Sequence, residues 1–205
     1  MPDMAELLAL GSSTLFEAGP GVEVLDPALR PMWAGARVAG PAYTVRCAPG
    51  DNLAIHVALA RLPSGSVLVV ECSGEVRGYW GEVLTVAAQA RGVLGLVING
   101  GVRDIDAMAH LRFPVFARAR CVRGTVKQHA PSVGSPLVVA GAKIAPQDII
   151  VGDADGVIAI PQARMGDIVA AARKRSQAEQ AFMEKLRAGS TTLELLGLTH
   201  LHQQN

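Results

Sequence analysis

"YWGEVLTVAAQARGVLGLVINGGVRDID", residues 79–106, is the stretch on which the fold turns. Residues 83–91 place apolar side chains at helical spacing, and 93–98 form an apolar run of strand length. A helix rises ~1.5 Å per residue and a strand ~3.3 Å, so about ten helical residues span ~15 Å and six strand residues return ~20 Å. The two lengths nearly cancel. Glu82, at the helix start, and Arg103-Asp104, beyond the strand end, are therefore expected on one edge of a sheet, with "NGG" (99–101) as the return turn. That edge is where open α/β sheets form ligand crevices.

The rest of the chain fits an α/β core. Its 205 residues suit one domain, 1–205, in which 162–205 form a C-terminal helix and tail. Half the residues are hydrophobic but only 4% are aromatic, as β-branched strands packed on Ala-rich helices require. A helix is expected over about 4–18, stopped by Gly19-Pro20-Gly21. In 35–47, Gly40-Pro41 splits an alternating pattern into two short strands. Asp51 or Asn52 caps a helix running to about Arg61, and 66–72 is a strongly apolar strand. Residues 112–122 and 135–146 read as β, and "GDADG" (152–156) joins two strands within 148–161. A long helix from about Gln162 to Arg187 sets Ile168, Ala172, Phe182 and Leu186 near one face. Its mostly polar stretch, 171–184, suggests an arm that leaves the body and packs on a neighbouring subunit.

Composition also excludes classes of function. Nineteen basic and eighteen acidic residues leave a charge of +1, without the electrostatic footprint of nucleic-acid binding. The densest basic run, "ARKRS" (172–176), lies in a helix-like segment and reads as a solvated face. No apolar run approaches the ~20 residues of a membrane span, and "MPDMAELLAL" is no secretory signal. Cys47, Cys72 and Cys121 are odd in number and widely spaced, as expected of reduced thiols. A soluble cytoplasmic protein is expected.

The charged edge has specific chemistry. Glu82 and Asp104 are hard oxygen ligands suited to Mg²⁺ or Mn²⁺. Arg103 offers a fixed fork for a substrate carboxylate or a developing enolate oxygen. The free N–H groups of Val83 and Leu84 can receive another anion, and Gly100 and Gly101 permit close backbone approach. Spacing alone is a weak signal. Eighteen of 205 residues are acidic, so an acid 21 positions before the single Arg-Asp arises by chance about 9% of the time. On spacing alone, capping and surface pairing are the better account of it.

A longer series of motifs carries more. "APGDNLAIHVAL", "VLVVECSG", the opening stretch, "FPVFARARCVRGTVK" and "PQDIIVGDADGVIAIP" occur in this order. Over about residues 30–190 the chain resembles the 4-hydroxy-4-methyl-2-oxoglutarate aldolase and regulator-of-ribonuclease-activity-A (RraA)-like family. The resemblance implies an αββα sandwich of the phosphohistidine-swivelling (β/β/α) type with a C-terminal helix, assembled as homotrimers or homohexamers with sites between subunits. It implies a metal-dependent pyruvate aldolase that also decarboxylates oxaloacetate. The family signature, an acidic residue, twenty residues and then Arg-Asp, falls on Glu82 and Arg103-Asp104. In its terms Asp104 holds Mg²⁺ or Mn²⁺, Glu82 does so through water, and Arg103 contacts the pyruvyl oxygens. Gly81, Glu82, Val83 and Leu84 bind the substrate carboxylate through the main chain, and Glu179 of a neighbouring subunit joins the metal.

Two residues depart from the pattern. Glu82 stands where Asp is frequent, and Asn99-Gly100 stands where Asp-Gly is frequent, which removes a charge near the site. The alternative reading is a non-catalytic regulator that binds a ribonuclease or helicase. His56 and the pair Asp51-Asn52 read first as structural, as do "GDADG" and Trp80. His129 lies in a loop that the resemblance places near the site.

Overall fold

The structure is a computed structural model that describes residues 3–130 and 132–202. The N-terminal part forms helices α1 (Met4–Leu10) and α2 (Ser12–Glu17), strands β1 (Glu23–Val24) and β2 (Arg30–Pro31), and the long strand β3 (Val38–Arg46). Then follow α3 (Leu53–Arg61), β4 (Val67–Glu71), β5 (Gly78–Trp80), α4 (Glu82–Ala90) and β6 (Gly95–Val102). Next come α5 (Ile105–His110), β7 (Val115–Arg120) and β8 (Ser132–Val133). Two hairpins follow, β9 (Leu137–Val139) with β10 (Ala142–Ile144), and β11 (Ile149–Gly152) with β12 (Val157–Ile160). Helices α6 (Met165–Arg187), α7 (Thr192–Leu195) and α8 (Thr199–His202) end the described chain, and the tail expected to 205 extends beyond it.

Strand β3 is the corner of the architecture. Its second half, from Ala42, runs parallel to β4, and β4, β6 and β7 continue the parallel order. Its first half, Val38 to Pro41, pairs antiparallel with β11. The sheet therefore curls into two facing halves. Alternation along the strands sorts the core into three layers. Leu68 and Val70 of β4 face Ile55, Leu59 and Leu84 of α3 and α4. Val67 and Val69 point the other way, into an interior shared with Phe116, Ile150 and Ala159. Val151 and Ile158 turn outward again, onto Leu7, Leu15 and Ile168 of α1, α2 and α6. Helices, half-sheet, half-sheet, helices: this is the expected αββα sandwich with a C-terminal helix.

Four local expectations are corrected. The helix over 4–18 is two helices, because Gly11 turns left-handed (φ 81°) and the buried Asp153 takes both the N–H and the hydroxyl of Ser12, each at 2.7 Å. Gly40-Pro41 does not divide β3; it lies where the strand changes partners, and a Cβ at Gly40 would come within 2.8 Å of Leu94. "NGG" is no turn. It is the last part of β6, where Cβ atoms would press Gly100 on Cys72 Sγ at 2.8 Å and Gly101 on Arg77 O at 2.5 Å. Helix α6 buries Ile168 and Ala172 but leaves Phe182 and Leu186 half-exposed, so the apolar face expected along its whole length is buried only in its proximal half.

Candidate functional site

The start of α4 and the end of β6 meet as chain geometry requires, but they meet through the main chain. The Glu82 N–H donates to Asp104 Oδ2 at 3.0 Å. The Arg103 N–H donates to Trp80 O at 2.9 Å, tying the strand end to β5. Gly81 makes this approach possible: a Cβ there would collide with Asp104 Oδ2. Asp104 itself is left-handed (φ 58°, ψ 42°), a conformation that costs a non-glycine residue about 1–3 kcal/mol and gathers at functional sites. Arg103 Nε lies 3.8 Å from the same Oδ2, with both side chains nearly half exposed. The Glu82 side chain is exposed and does not line the pocket beside it. Of the two expected acidic jaws, only Asp104 closes on it.

That pocket measures about 390 Å³. Tyr79, Trp80, Gly81, Val83, Leu84, Arg103 and Asp104, all in the opening stretch, form one side together with Gly78. Asn52, His56, Gly124, Thr125 and Lys127 form the rest, and sequence reasoning did not assign them to the site. The Gly-Thr-Val-Lys loop after β7 was the available signal. Asn52 Nδ2 donates to Tyr79 O at 3.0 Å, and the Gly50 N–H donates to the Tyr79 hydroxyl at 2.7 Å, so β5 is stapled to the start of α3. Burial pushes that phenol up to about 12. Burial and the Lys127 charge hold the His56 imidazole below its usual range. Trp80 is a wall residue: it stacks on Phe113 (centroids 6.0 Å apart) and donates to Thr85 Oγ1 at 2.8 Å.

The donors suit a hydrated divalent cation. Among the described residues no three His, Cys, Asp or Glu converge, so a protein-only cage is absent. Mg²⁺ needs none; one or two carboxylates, substrate and retained waters suffice. Asp104 has its remaining lone pairs open to the pocket side, and Glu82 follows directly on the glycine beside it. The residues fit the group. Glu179 does not join them within one chain: it lies on the distal half of α6, 2.9 Å from Arg175.

The other expectations find structural places. Asn99 holds no position in the pocket. Its Nδ2 donates to Glu71 Oε2 at 2.8 Å, and its Oδ1 accepts from Arg118 Nε at 2.6 Å, on the interior side of β6. Arg118 continues to Asp26 Oδ2 at 2.6 Å, and Glu71 also accepts from the Ser73 and Ala140 amides. An aspartate at 99 would set a second carboxylate against Glu71; asparagine bridges carboxylate and guanidinium instead. Asp51 caps α3 through Leu53 N at 2.7 Å. "GDADG" is the β11–β12 turn. All three cysteines are free, Cys47 and Cys72 buried side by side. No helix among the described residues is long and apolar enough to cross a membrane.

A family model described as RraA-like, Aldolase/RraA, matches residues 12–159. The chain belongs to the RraA-like family. A protein of Halalkalibacterium halodurans named "Putative 4-hydroxy-4-methyl-2-oxoglutarate aldolase" is 31% identical over 179 residues, 87% of this chain and 85% of its own. Among solved structures, an uncharacterized protein from Pseudomonas syringae pv. tomato superposes with TM-score 0.83 at 33% identity, covering 96% of this chain and 92% of its own. The RNA-processing inhibitor RraA from Thermus thermophilis superposes with TM-score 0.67 at 28% identity, over 73% of this chain and 92% of that one. This chain is thus similar both to a relative named for an aldolase and to one named for an RNA-processing inhibitor.

Proposed function

We propose that this RraA-like protein is a divalent-metal-dependent lyase. It cleaves 4-hydroxy-4-methyl-2-oxoglutarate or a related 4-hydroxy-2-oxo acid to pyruvate, and decarboxylates oxaloacetate. The observation that carries the reading is the left-handed Asp104 beside Arg103, facing the first turn of α4 across a glycine that admits no side chain. The name borne by the H. halodurans relative points the same way.

Asp104, with Glu82 through water, would hold Mg²⁺ or Mn²⁺, which when bound supplies Lewis-acid polarisation of the 2-oxo group. The residues of the chain do the rest. The Val83 and Leu84 amides, unpaired in the first turn, hold the substrate carboxylate with help from the helix dipole. The Arg103 fork holds the 2-oxo oxygen and stabilises the charge that develops there. The C3–C4 bond breaks as the 4-hydroxyl gives up its proton and becomes a carbonyl. That proton passes to solvent, the electron pair of the broken bond moves through C3 to the 2-oxo oxygen held by Arg103, and protonation of C3 yields pyruvate. Loss of CO₂ from oxaloacetate delivers the same enolate by the same electron flow.

A pyruvate-release assay on 4-hydroxy-2-oxo acids and oxaloacetate, with Mg²⁺, with Mn²⁺ and with EDTA, tests the reading. Turnover that EDTA abolishes and metal restores is expected; turnover indifferent to EDTA and kept by Arg103→Ala overturns it. The same reading takes the protein as a homotrimer or homohexamer. It is supported by Val83 (82% exposed), Val122 (90% exposed) and the distal half of α6, all suited to cover by neighbouring copies that could bring Glu179 to the metal. Light scattering that finds a monomer removes this part.

A second reading has its own observation, the likeness to the T. thermophilis RNA-processing inhibitor. On that reading the chain binds a ribonuclease or helicase and turns nothing over. Capture of a ribonuclease by the purified protein, together with no oxo-acid turnover, would favour it.

A further inference from the structure

A second cavity lies on the opposite face of β3 and β4 from the pocket of Asp104. It measures about 500 Å³ and shares no lining residue with that pocket. Strand alternation puts it there. Val45 joins Leu68 and Val70 in the cluster under α3 and α4, so Arg46 turns to the other side, beside Glu71 of β4 and Ser132 of β8. The β9–β10 hairpin closes over this spot. Pro136, Leu137, Val138 and Ile144 supply an apolar wall, and Arg46 and Lys143 line the cavity with them. The chain entering the hairpin is pinned to β3: the Gly134 N–H donates to Thr44 O at 2.8 Å, and Thr44 Oγ1 donates to Ser135 O at 2.7 Å. The wall is therefore preformed.

The cations of this cavity are uncommitted. Among the described residues neither Arg46 nor Lys143 forms a salt bridge. The acids around them are already engaged. Asp148, the one acid of the described lining, takes the Ala145 amide at 2.8 Å on one oxygen and the Gln162 amide at 3.2 Å on the other. Glu71, beside Arg46 in the register, takes the Ser73 amide on one oxygen and Asn99 Nδ2 and the Ala140 amide on the other. Glu23 meets Lys143 only through its backbone N–H, at 3.3 Å.

Exposed arginines and lysines ordinarily face water and hold nothing. These two rise from an apolar wall instead: Val138 is 49% exposed, and Leu137 and the buried Ile144 continue the wall inward. A concave, mainly apolar lining with a few placed charges is the usual form of a small-molecule site, and the volume falls in its range. An inorganic anion would use the charges and not the wall. A neutral hydrocarbon would use the wall and desolvate two cations without pairing them.

We propose that this cavity is a second ligand site, for an amphipathic carboxylate. Its apolar body lies on the wall of Leu137, Val138 and Ile144, and Arg46 and Lys143 hold its carboxylate. The site uses none of the residues assigned to the lyase reaction and stands or falls apart from it.

The test is an NMR titration of the purified protein with octanoate and 2-naphthoate, each beside its neutral amide, octanamide and 2-naphthamide. The chain and the ring are two sources of the same chemistry, and the two arms tell them apart. At least one acid is expected to bind about tenfold more tightly than its amide. Arg46→Gln and Lys143→Gln should each cut the affinity for that acid by about tenfold and leave the amide unchanged. Val138→Ser should weaken acid and amide alike. Arg103→Ala should change neither. Four outcomes overturn the inference: no binding of either acid, equal binding of acid and amide, acid binding indifferent to both charge substitutions, or acid binding lost in Arg103→Ala, which would put the ligand in the pocket of Asp104.

Discussion

Two groups of charges stand on the same parallel strands and are treated in opposite ways. Glu71, Asn99 and Arg118, on β4, β6 and β7, form a chain with Asp26 in which each member meets its neighbour within 2.8 Å and spare oxygens take backbone amides. Arg103 and Asp104, just past β6, share one 3.8 Å contact and one amide, and both face a pocket. The first group has spent its hydrogen-bonding capacity on the fold. The second has kept it. A guanidinium and a carboxylate with unspent donors and acceptors, beside a strained backbone, are what a ligand can use; the same pair fully satisfied is architecture.

The difference can be broken in either direction. Arg103→Ala should lower kcat/KM for pyruvate release by about three orders of magnitude, or ~4 kcal/mol, with Tm nearly unchanged. Glu71→Ala should do the reverse in kind. Urea unfolding should show a loss of about 3 kcal/mol, because the Asn99 amide and the Ala140 N–H lose a buried partner. Gly81→Ala forces Asp104 or Arg103 aside. It should cost about a hundredfold in kcat/KM, ~2.7 kcal/mol, and little in stability.

Asp51 sharpens the comparison through pH. Burial raises its carboxyl, but the Gln128 and Leu53 amides and His129 outweigh burial and hold it at about 2. A carboxyl lowered on folding contributes stability above its unfolded value. That contribution, about 2 kcal/mol, should fade between about pH 4 and pH 2 and be missing at every pH in Asp51→Asn. Acid titration of Tm for both proteins checks it. The smallest effect belongs to Glu82→Gln: its side chain is exposed and off the pocket lining, so kcat/KM should fall by about tenfold, the low end for a partner that acts through water. A loss as large as that of Arg103→Ala would mean that Glu82 is a direct metal ligand.

Most of this was legible in the sequence where a local rule and a long-range need agree. The α4–β6 return, the apolar strand β4 and the β11–β12 hairpin follow from period and length alone. Legibility failed where glycine and proline served packing rather than turning. Gly100 and Gly101 look like a turn, yet they are small because Cys72 and the Arg77 backbone lie against them. Strand β5 has only three residues and no period to read, and the pocket depends on it. Lys127 and Asp51 are 76 positions apart, and the bonds between their segments leave no trace in spacing.

The corner strand also constrains the order of events in folding. The second half of β3 finds its neighbour β4 about 25 residues ahead, but the first half must wait for β11, more than a hundred residues further on. Loop closure over that distance is slow, and a strand edge left open meanwhile is available to other chains. During synthesis the α3-to-β7 half can assemble while Val38–Pro41 stays unpaired, and only the emergence of Ile149–Gly152 removes the exposed edge. A nascent chain halted just before β11 should therefore be the aggregation-prone species, and the last hairpin the step that commits the molecule to solubility.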